Sequence, residues 1–373
     1  MAGLAWVALA AFLWLALLLV PWRPWLLGEC LEADPAAVGL DPAGEVTVLM
    51  PARNEAAVIG QALSALAHQG LVLPVIVIDD DSTDGTAEVA RGVGLPGLTV
   101  ITAPQLPAGW TGKLWALEQG RARVTTPYIL LLDADIRLAP ATVPTLLRKA
   151  KDERLALLSL MAAPAMVGFW DRWFMPAFIY FFKLLYPFRW ANRPSSRFAA
   201  AAGGCLLVAS DALAAIGGFG TLRGAVIDDC TLAGLVKRQG RGAIWVGVTH
   251  SAVMMRANDL RGFWRMVART AFTQLRYSWV LLALCTVALL LLFVVPVTGL
   301  FLGGALVRAL ALGGLFLMVA SYAPTARFYR QSRWALVGLP LVGVAFLLMT
   351  YTSALWYARG VRSQWKDRAY SRE

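Results

Sequence analysis

Asp133 and Asp135 stand one residue apart, directly after the apolar run Tyr128-Ile129-Leu130-Leu131-Leu132. Two carboxylates so placed at the end of a buried strand can both reach one divalent cation, or the phosphates it carries. Asp-x-Asp is short, and strand ends often carry solvated acids, so the pair gains meaning only from what converges on it.

Those carboxylates need a scaffold, and the chain spells one out as apolar runs alternating with helical stretches, the pattern of an α/β domain. Glu45 to Met50 reads as a first strand, Val75 to Ile78 as a second, Leu98 to Thr102 as a third and Tyr128 to Leu132 as a fourth. Leu155 to Met161, Cys205 to Val208 and Ala243 to Val248 follow as later strands. Open α/β sheets bind ligands beyond the carboxyl ends of their strands. Three of these ends carry polar clusters: Arg53 to Glu55, Asp79 to Asp84, and Asp133 with Asp135.

Of the 373 residues, 58% are hydrophobic and 15% charged, too apolar for an ordinary soluble protein. Leu4 to Val20 is unbroken apolar sequence closed by Pro21-Trp22-Arg23-Pro24-Trp25. With no basic start and no small-residue cleavage site, it reads as an uncleaved anchor over 1–25, its carboxyl end in the cytoplasm. Trp279 to Leu302, Ala305 to Ala323 and Trp334 to Tyr357 are each close to the ~20 residues a bilayer needs. A water-facing domain over 40–277 is thus framed by transmembrane helices at both ends, with helices over 278–358 and a basic tail over 359–373. Arg327, Arg330 and Arg333 fall in a loop expected to be cytoplasmic. The tail, with Arg359, Arg362, Lys366, Arg368 and Arg372, lands outside by simple counting, so either the last span is re-entrant or interfacial or the positive-inside rule fails here. Phe169 to Trp190 is aromatic yet carries Asp171, Arg172, Lys183 and Arg189, a pattern for a helix lying in the membrane interface or, alternatively, a plain core helix.

The net charge of +11 has no Lys/Arg stripe interleaved with aromatics, so nucleic acid is not an expected partner. Arginines beside apolar spans suit anionic lipid headgroups instead. Cys30, Cys205, Cys230 and Cys285 show no metal-ligand spacing and no disulfide density, which reads as inert thiols in a reducing compartment.

Taken in order, Pro51-x-x-Asn54-Glu55, Asp79-Asp80-x-Ser82-x-Asp84-Gly85-Thr86 and Asp133-x-Asp135 resemble the inverting GT-A glycosyltransferases of family 2. The resemblance implies that Arg53, Glu55, Asp79 and Asp80 contact the nucleoside of a nucleotide sugar. It makes Asp135 the direct ligand of Mg2+ or Mn2+, with Asp133 on the ribose or diphosphate. Asp84 with Gly85 also has a simpler reading as a cap of the following helix. Gly112-Lys113 resembles the family's segment where backbone amides and a lysine face the donor phosphates; a solvated lysine at a helix start is the alternative.

Ala202-Gly203-Gly204-Cys205 resembles the small-residue segment that lets acceptor and donor sugar approach a strand, and packing glycines are the competing account. Val226-Ile227-Asp228-Asp229-Cys230 stands where the family has a Glu-Asp pair. One carboxylate must take the proton of the attacking hydroxyl; Asp229 matches that base, with Asp228 as its orienting neighbour or substitute. An acid pair at a helix start would serve the helix dipole equally well. The family's Gln/Arg-x-x-Arg-Trp segment has no clean match, Thr270 standing where Trp is expected. Arg269 and Arg276 are the implied clamps on the leaving diphosphate, although juxtamembrane arginines are ordinary. His68 reads as surface; His250, late in the chain, is a further metal-ligand candidate by resemblance.

The resemblance covers about residues 45 to 277. Within it, Leu106–Ala116, Arg223–Cys230 and Arg269–Ser278 look like the bacterial hopene-associated glycosyltransferases of hopanoid biosynthesis, similar in layout to ceramide glucosyltransferases. That implies a multi-pass protein of the bacterial inner membrane with a cytosolic catalytic domain. The expected donor is a UDP-sugar and the expected acceptor a lipid hydroxyl, of a hopanoid or alternatively of a polyprenyl phosphate or sphingolipid-like molecule. Two rivals come from other classes. A haloacid dehalogenase-type phosphatase would use Asp133 as nucleophile but wants Thr or Val where Arg137 stands. A membrane transporter needs polar groups inside its spans, where this chain offers Arg308 and a few hydroxyls.

Overall fold

The computed structural model describes residues 2–39, 44–240, 242–365 and 368–371; of the basic tail, Lys366 and Arg372 lie outside the described residues. The chain divides into two compact units, one built from residues 29–165 and 188–256, the other from 1–28, 166–187 and 257–373.

The first unit is a mixed α/β sheet of eight strands. They are β1 (Val46–Ala52), β2 (Val75–Asp79), β3 (Leu98–Thr102), β4 (Tyr128–Leu132), β5 (Ile136–Leu138), β6 (Leu155–Ala163), β7 (Cys205–Ala209) and β8 (Ala243–Met254), in the order β3-β2-β1-β4-β7-β6-β8-β5. Seven lie where the apolar runs place them. The short β5 is unforeseen, as is the continuation of β8 to Met254, because neither carries an uninterrupted apolar run. β3, β2, β1 and β4 run parallel, so their carboxyl ends share one edge. β7 runs antiparallel to β4 with Cys205 opposite Leu132, which brings the start of β7, and the glycines before it, to that same edge.

Alternation along each strand feeds two cores, one per face. Val46, Val48 and Met50 of β1 and Leu130 and Leu132 of β4 pack with Leu63 and Leu66 of the helix Ile59–Ala67 and Leu146 and Leu147 of the helix Thr142–Asp152. Leu49, Ile78, Ile129 and Leu131 point the other way, onto Leu114 and Leu117 of the helix Gly112–Arg121 and Leu232 and Val236 of the helix Asp228–Gln239. Those last two helices begin at the ligand edge, and each delivers its first-turn residues there.

The segment entering this unit is laid along β8. Val248 N donates to Glu29 O (2.8 Å) and Leu31 N to Val248 O (3.1 Å). Ala33 N donates to Ser251 Oγ (2.7 Å) and Asp34 N to Thr145 Oγ1 (2.8 Å), with an Arg148–Asp34 ion pair beside them.

Among the described residues of the second unit, three helices are long and apolar enough to cross a membrane: Trp279–Leu302, Ala305–Phe328 and Leu339–Ala358. All lie toward the carboxyl end. This corrects the expectation of spanning helices at both ends: the apolar amino-terminal helix Ala2–Leu19 is shorter than these, because Pro21 and Pro24 stop it early. The helix Phe169–Leu185 buries two of its three charges, Asp171 and Lys183, and leaves Arg172 exposed. Asp171 is buried and accepts from Gly168 N (3.4 Å) and Asn258 N (2.9 Å), while buried Lys183 donates to the carbonyl of Leu26. Tyr180 shares a hydrogen bond of 2.7 Å with Ser321 of the helix Ala305–Phe328. Sequence reading offered an interfacial helix or a plain core helix; within the unit Asp171 and Lys183 both have interior partners.

Gly97, just before β3, has φ +80°, and a Cβ there would lie 2.6 Å from the carbonyl oxygen of Leu73. Gly97→Ala must therefore strain the backbone and push apart the start of the parallel pairing. We expect a loss of about 2 kcal/mol or more, read as a lowered midpoint in thermal or denaturant unfolding.

Candidate active site

The ends of β1 and β2 are knitted into one double loop. Asn54, held at φ 52°, accepts from Thr83 N (3.0 Å) and donates its own N–H to Ser82 Oγ (3.0 Å). Glu55 N donates to Thr86 Oγ1 (2.8 Å) and Ala56 N to Asp84 Oδ2 (3.0 Å). Asp84 also accepts from Thr86 N (3.1 Å), while the cap position of the helix Thr86–Gly92 is Gly85 in a left-handed conformation. Asp84 therefore ties both loops to the helix start rather than acting as a simple N-cap. Burial would raise its carboxyl, but the bonds from Thr86 and Ala56 outweigh burial and hold it below the ordinary range.

Arg53 lies against the second loop. It donates to the carbonyls of Asp80 and Asp81 and sits 3.9 Å from Asp80 Oδ2. Asp79 and Asp80 are both buried; Asp79 Oδ2 accepts from Ser82 N (3.4 Å), and Asp79 Oδ1 has no hydrogen-bond partner. A buried carboxylate oxygen left unbonded is costly, so this atom is an acceptor available to a donor on a ligand. Glu55, expected to contact the nucleoside, is buried and ion-paired with Arg256. Arg256 follows β8, and the residue before it, Met255, donates its N–H to Asp135 O (2.8 Å). Sequence reading missed Arg256, since only the antiparallel β5–β8 pairing carries that strand end to Asp135.

At the other side of the same edge, four charged groups gather around glycine. Thr111 Oγ1 caps the helix Gly112–Arg121 through Leu114 N (3.4 Å), which sets Lys113 in its first turn. The Lys113 ammonium lies 2.7 Å from Asp133 Oδ1. Asp133 N donates to Gly204 O (3.0 Å), fastening the carboxyl end of β4 to the glycine pair. A Cβ on Gly203 would meet Asp229 Oδ2 at 3.4 Å and Lys113 Nζ at 3.5 Å. Both groups thus close on one point beside Gly203, within ordinary contact distance of a side chain there. Lys113, Asp133, Gly203, Asp228 and Asp229 line one cavity, whose floor is apolar and includes Leu117, Leu131 and Phe219.

Those apolar walls set the electrostatics. Burial, then the adjacent Asp228, pushes the Asp229 carboxyl up to about 6, against opposition from the Cys230 N–H, Lys113 and the Gly203 N–H. Burial would lower the Lys113 ammonium, but Asp133, Asp228 and Asp229 together overcome it and hold the lysine protonated. Burial and Asp133 push the Cys205 thiol up to about 12, so it is inert.

His250, the late histidine, is not part of this cluster: its Nδ1 lies 3.1 Å from Glu32 on the β8 surface. Among the described residues no group of three or more His, Cys, Asp or Glu is arranged to hold a metal. Asp133 and Asp135 nevertheless fit a hard cation completed by ligand oxygens: both donors are carboxylates, and Asp133 already holds a cationic partner in Lys113. Arg269 and Arg276 belong to the helical unit, where Arg269 Nε is buried without a hydrogen-bond partner.

Residues 47–208 match the glycosyl transferase family 2 model. The fold is GT-A-like. A mannosyltransferase from Pyrobaculum calidifontis, solved in complex with GDP-Man and Mn2+, superposes with a TM-score of 0.50 at 20% identity, covering 95% of this chain and 96% of that one. Two relatives named 4,4'-diaponeurosporenoate glycosyltransferase are similar over a short stretch. The one from Staphylococcus haemolyticus is 36% identical over 93 residues, and the one from Staphylococcus aureus strain USA300 is 38% identical over 91. These stretches cover 25% and 24% of this chain, and this chain spans about a quarter of the length of the curated relatives it matches (24% of each).

Because the folded value of Asp229 lies near 6, above its ordinary 3.8, the folded chain binds the extra proton between those values. Stability contributed by that proton is present below the ordinary value and is lost as pH rises through about 6. Asp229→Asn should therefore unfold at a higher temperature than the parent above pH 6, with the advantage vanishing near pH 4. Melting curves across that range read it directly.

Proposed function

We propose that the protein moves a sugar from a nucleotide-sugar donor to a lipid hydroxyl in a single displacement that inverts the anomeric carbon. The observation that carries the reading is that Lys113 and Asp229 close on Gly203 while Lys113 pairs with Asp133, all lining one cavity. The family 2 domain supports the donor class, and the three helices suited to crossing a membrane support a lipid acceptor.

On this reading the nucleoside rests against the double loop, with Asp79 Oδ1 accepting from its base and Arg53 and Asp80 beside it. Glu55 contributes by holding Arg256. Asp135 and Asp133 would hold Mg2+ or Mn2+, which when bound supplies positive charge to the diphosphate. Gly203 and Gly204 leave room for the sugars. Asp229 accepts the proton of the acceptor hydroxyl as its oxygen bonds to the anomeric carbon. The bond from that carbon to the diphosphate breaks, and its electron pair leaves with the diphosphate. Asp228, a like charge beside Asp229, raises that carboxyl and so keeps it a stronger base. Lys113, at a helix amino terminus, faces the charge that builds on the leaving group. The clamping part of Arg269 and Arg276 rests on the resemblance alone.

Finer assignments rest on less. Arg223–Cys230 and Arg269–Ser278 favour a hopanoid acceptor and a UDP-sugar donor at the bacterial inner membrane, while the relatives named for 4,4'-diaponeurosporenoate favour a different lipid. Membranes carrying the protein, incubated with a panel of radiolabelled nucleotide sugars, should yield one labelled lipid and free nucleoside diphosphate; label that never leaves the nucleotide rejects the reading. Asp229→Asn should cut transfer by roughly 10²-fold or more while leaving nucleotide binding nearly intact. In the parent, transfer should fall as pH drops through about 6, since the base must be ionised.

A further inference from the structure

Lys113 holds the carboxylate that a cation would need. Its ammonium lies 2.7 Å from Asp133 Oδ1, with only a fifth of the lysine side chain exposed, and Asp229 closes on the same point above Gly203. A divalent ion set on Asp133 while the ammonium stays would place like charges within a few ångströms under partial burial, where such repulsion is strong. A diphosphate changes the balance: its oxygens attract the ammonium, and the lysine already sits in the first turn of the helix Gly112–Arg121, where backbone N–H groups favour an anion.

We propose that Lys113 is the resident counter-ion of the cation site, excluding a divalent ion from the free enzyme so that metal enters only together with the nucleotide diphosphate, which draws the ammonium off Asp133. This rests on the donor-site reading above and adds to it an order of binding. Lys113 acts here as a positioning residue, exchanging one partner for another without forming a bond to the transferred sugar.

The test is Mn2+ binding to the full chain in detergent, followed by electron paramagnetic resonance, with and without a nucleoside diphosphate. The parent should bind Mn2+ alone weakly and bind it well with nucleoside diphosphate. Lys113→Met should bind Mn2+ alone at least about tenfold more tightly, bind Mn2+ with nucleoside diphosphate less tightly than the parent, and lose the gain when Asp133→Asn is added. Lys113→Arg keeps the charge and should stay as weak as the parent for Mn2+ alone. Lys113→Gln is a second neutral variant, used where the Met form does not fold. No gain in the neutral variants, or an equal gain in Lys113→Arg, overturns the proposal. A parent that binds no nucleoside diphosphate with Mn2+ overturns the donor-site reading instead, and the Mn2+-alone comparison still judges Lys113.

Discussion

One ammonium among three carboxylates is the constraint around which the catalytic unit is arranged. Lys113, Asp133, Asp228 and Asp229 come from three separate segments, and no two of those segments could be placed independently. Parallel β1, β2 and β4 put the acidic loop ends on one edge, and antiparallel β7 returns the glycine pair to it. The helices Gly112–Arg121 and Asp228–Gln239, packed on one face, start at that edge and deliver the lysine and the second acid pair. The apolar floor beneath them makes each charge depend on its neighbours, which is why the lysine is held charged and Asp229 is held near neutrality.

Much of this was legible in the sequence because the strands that carry the site are buried on both faces and so read as unbroken apolar runs. Asp133 after Leu132, Asp79 after Ile78 and Arg53 after Ala52 are local facts, each fixed by where a run ends. Arg256 was not legible, since its place depends on the far end of β8 pairing with the short β5 on the side away from β6. The ion pair of Glu55 was hidden for the same reason: its partner is 201 residues away. His250 misled because a histidine after a strand looks like a ligand until Glu32 is found beside it.

The helical unit shows where composition alone misjudges charge. Asp171 and Lys183 left Phe169–Leu185 readable as an interfacial helix or a plain core helix, and in the fold one carboxylate accepts two backbone N–H groups while the ammonium meets a carbonyl. Buried charges with such partners are satisfied, and periodicity cannot report them. The amino-terminal helix was misjudged by length: an apolar stretch reads as a span until the prolines that end it are set against the three longer helices.

The strap over residues 29–34 bears on where this fold begins. β5 covers β8 only from Ala252 to Met254, and without the strap the stretch around Val248 would present unpaired backbone groups at the rim of the sheet. Exposed sheet rims recruit other chains. The family match opens at residue 47, but the part of the polypeptide that covers this rim opens at Glu29. A fragment cut to the homologous boundary would lose its protection against aggregation while keeping every residue of its chemistry.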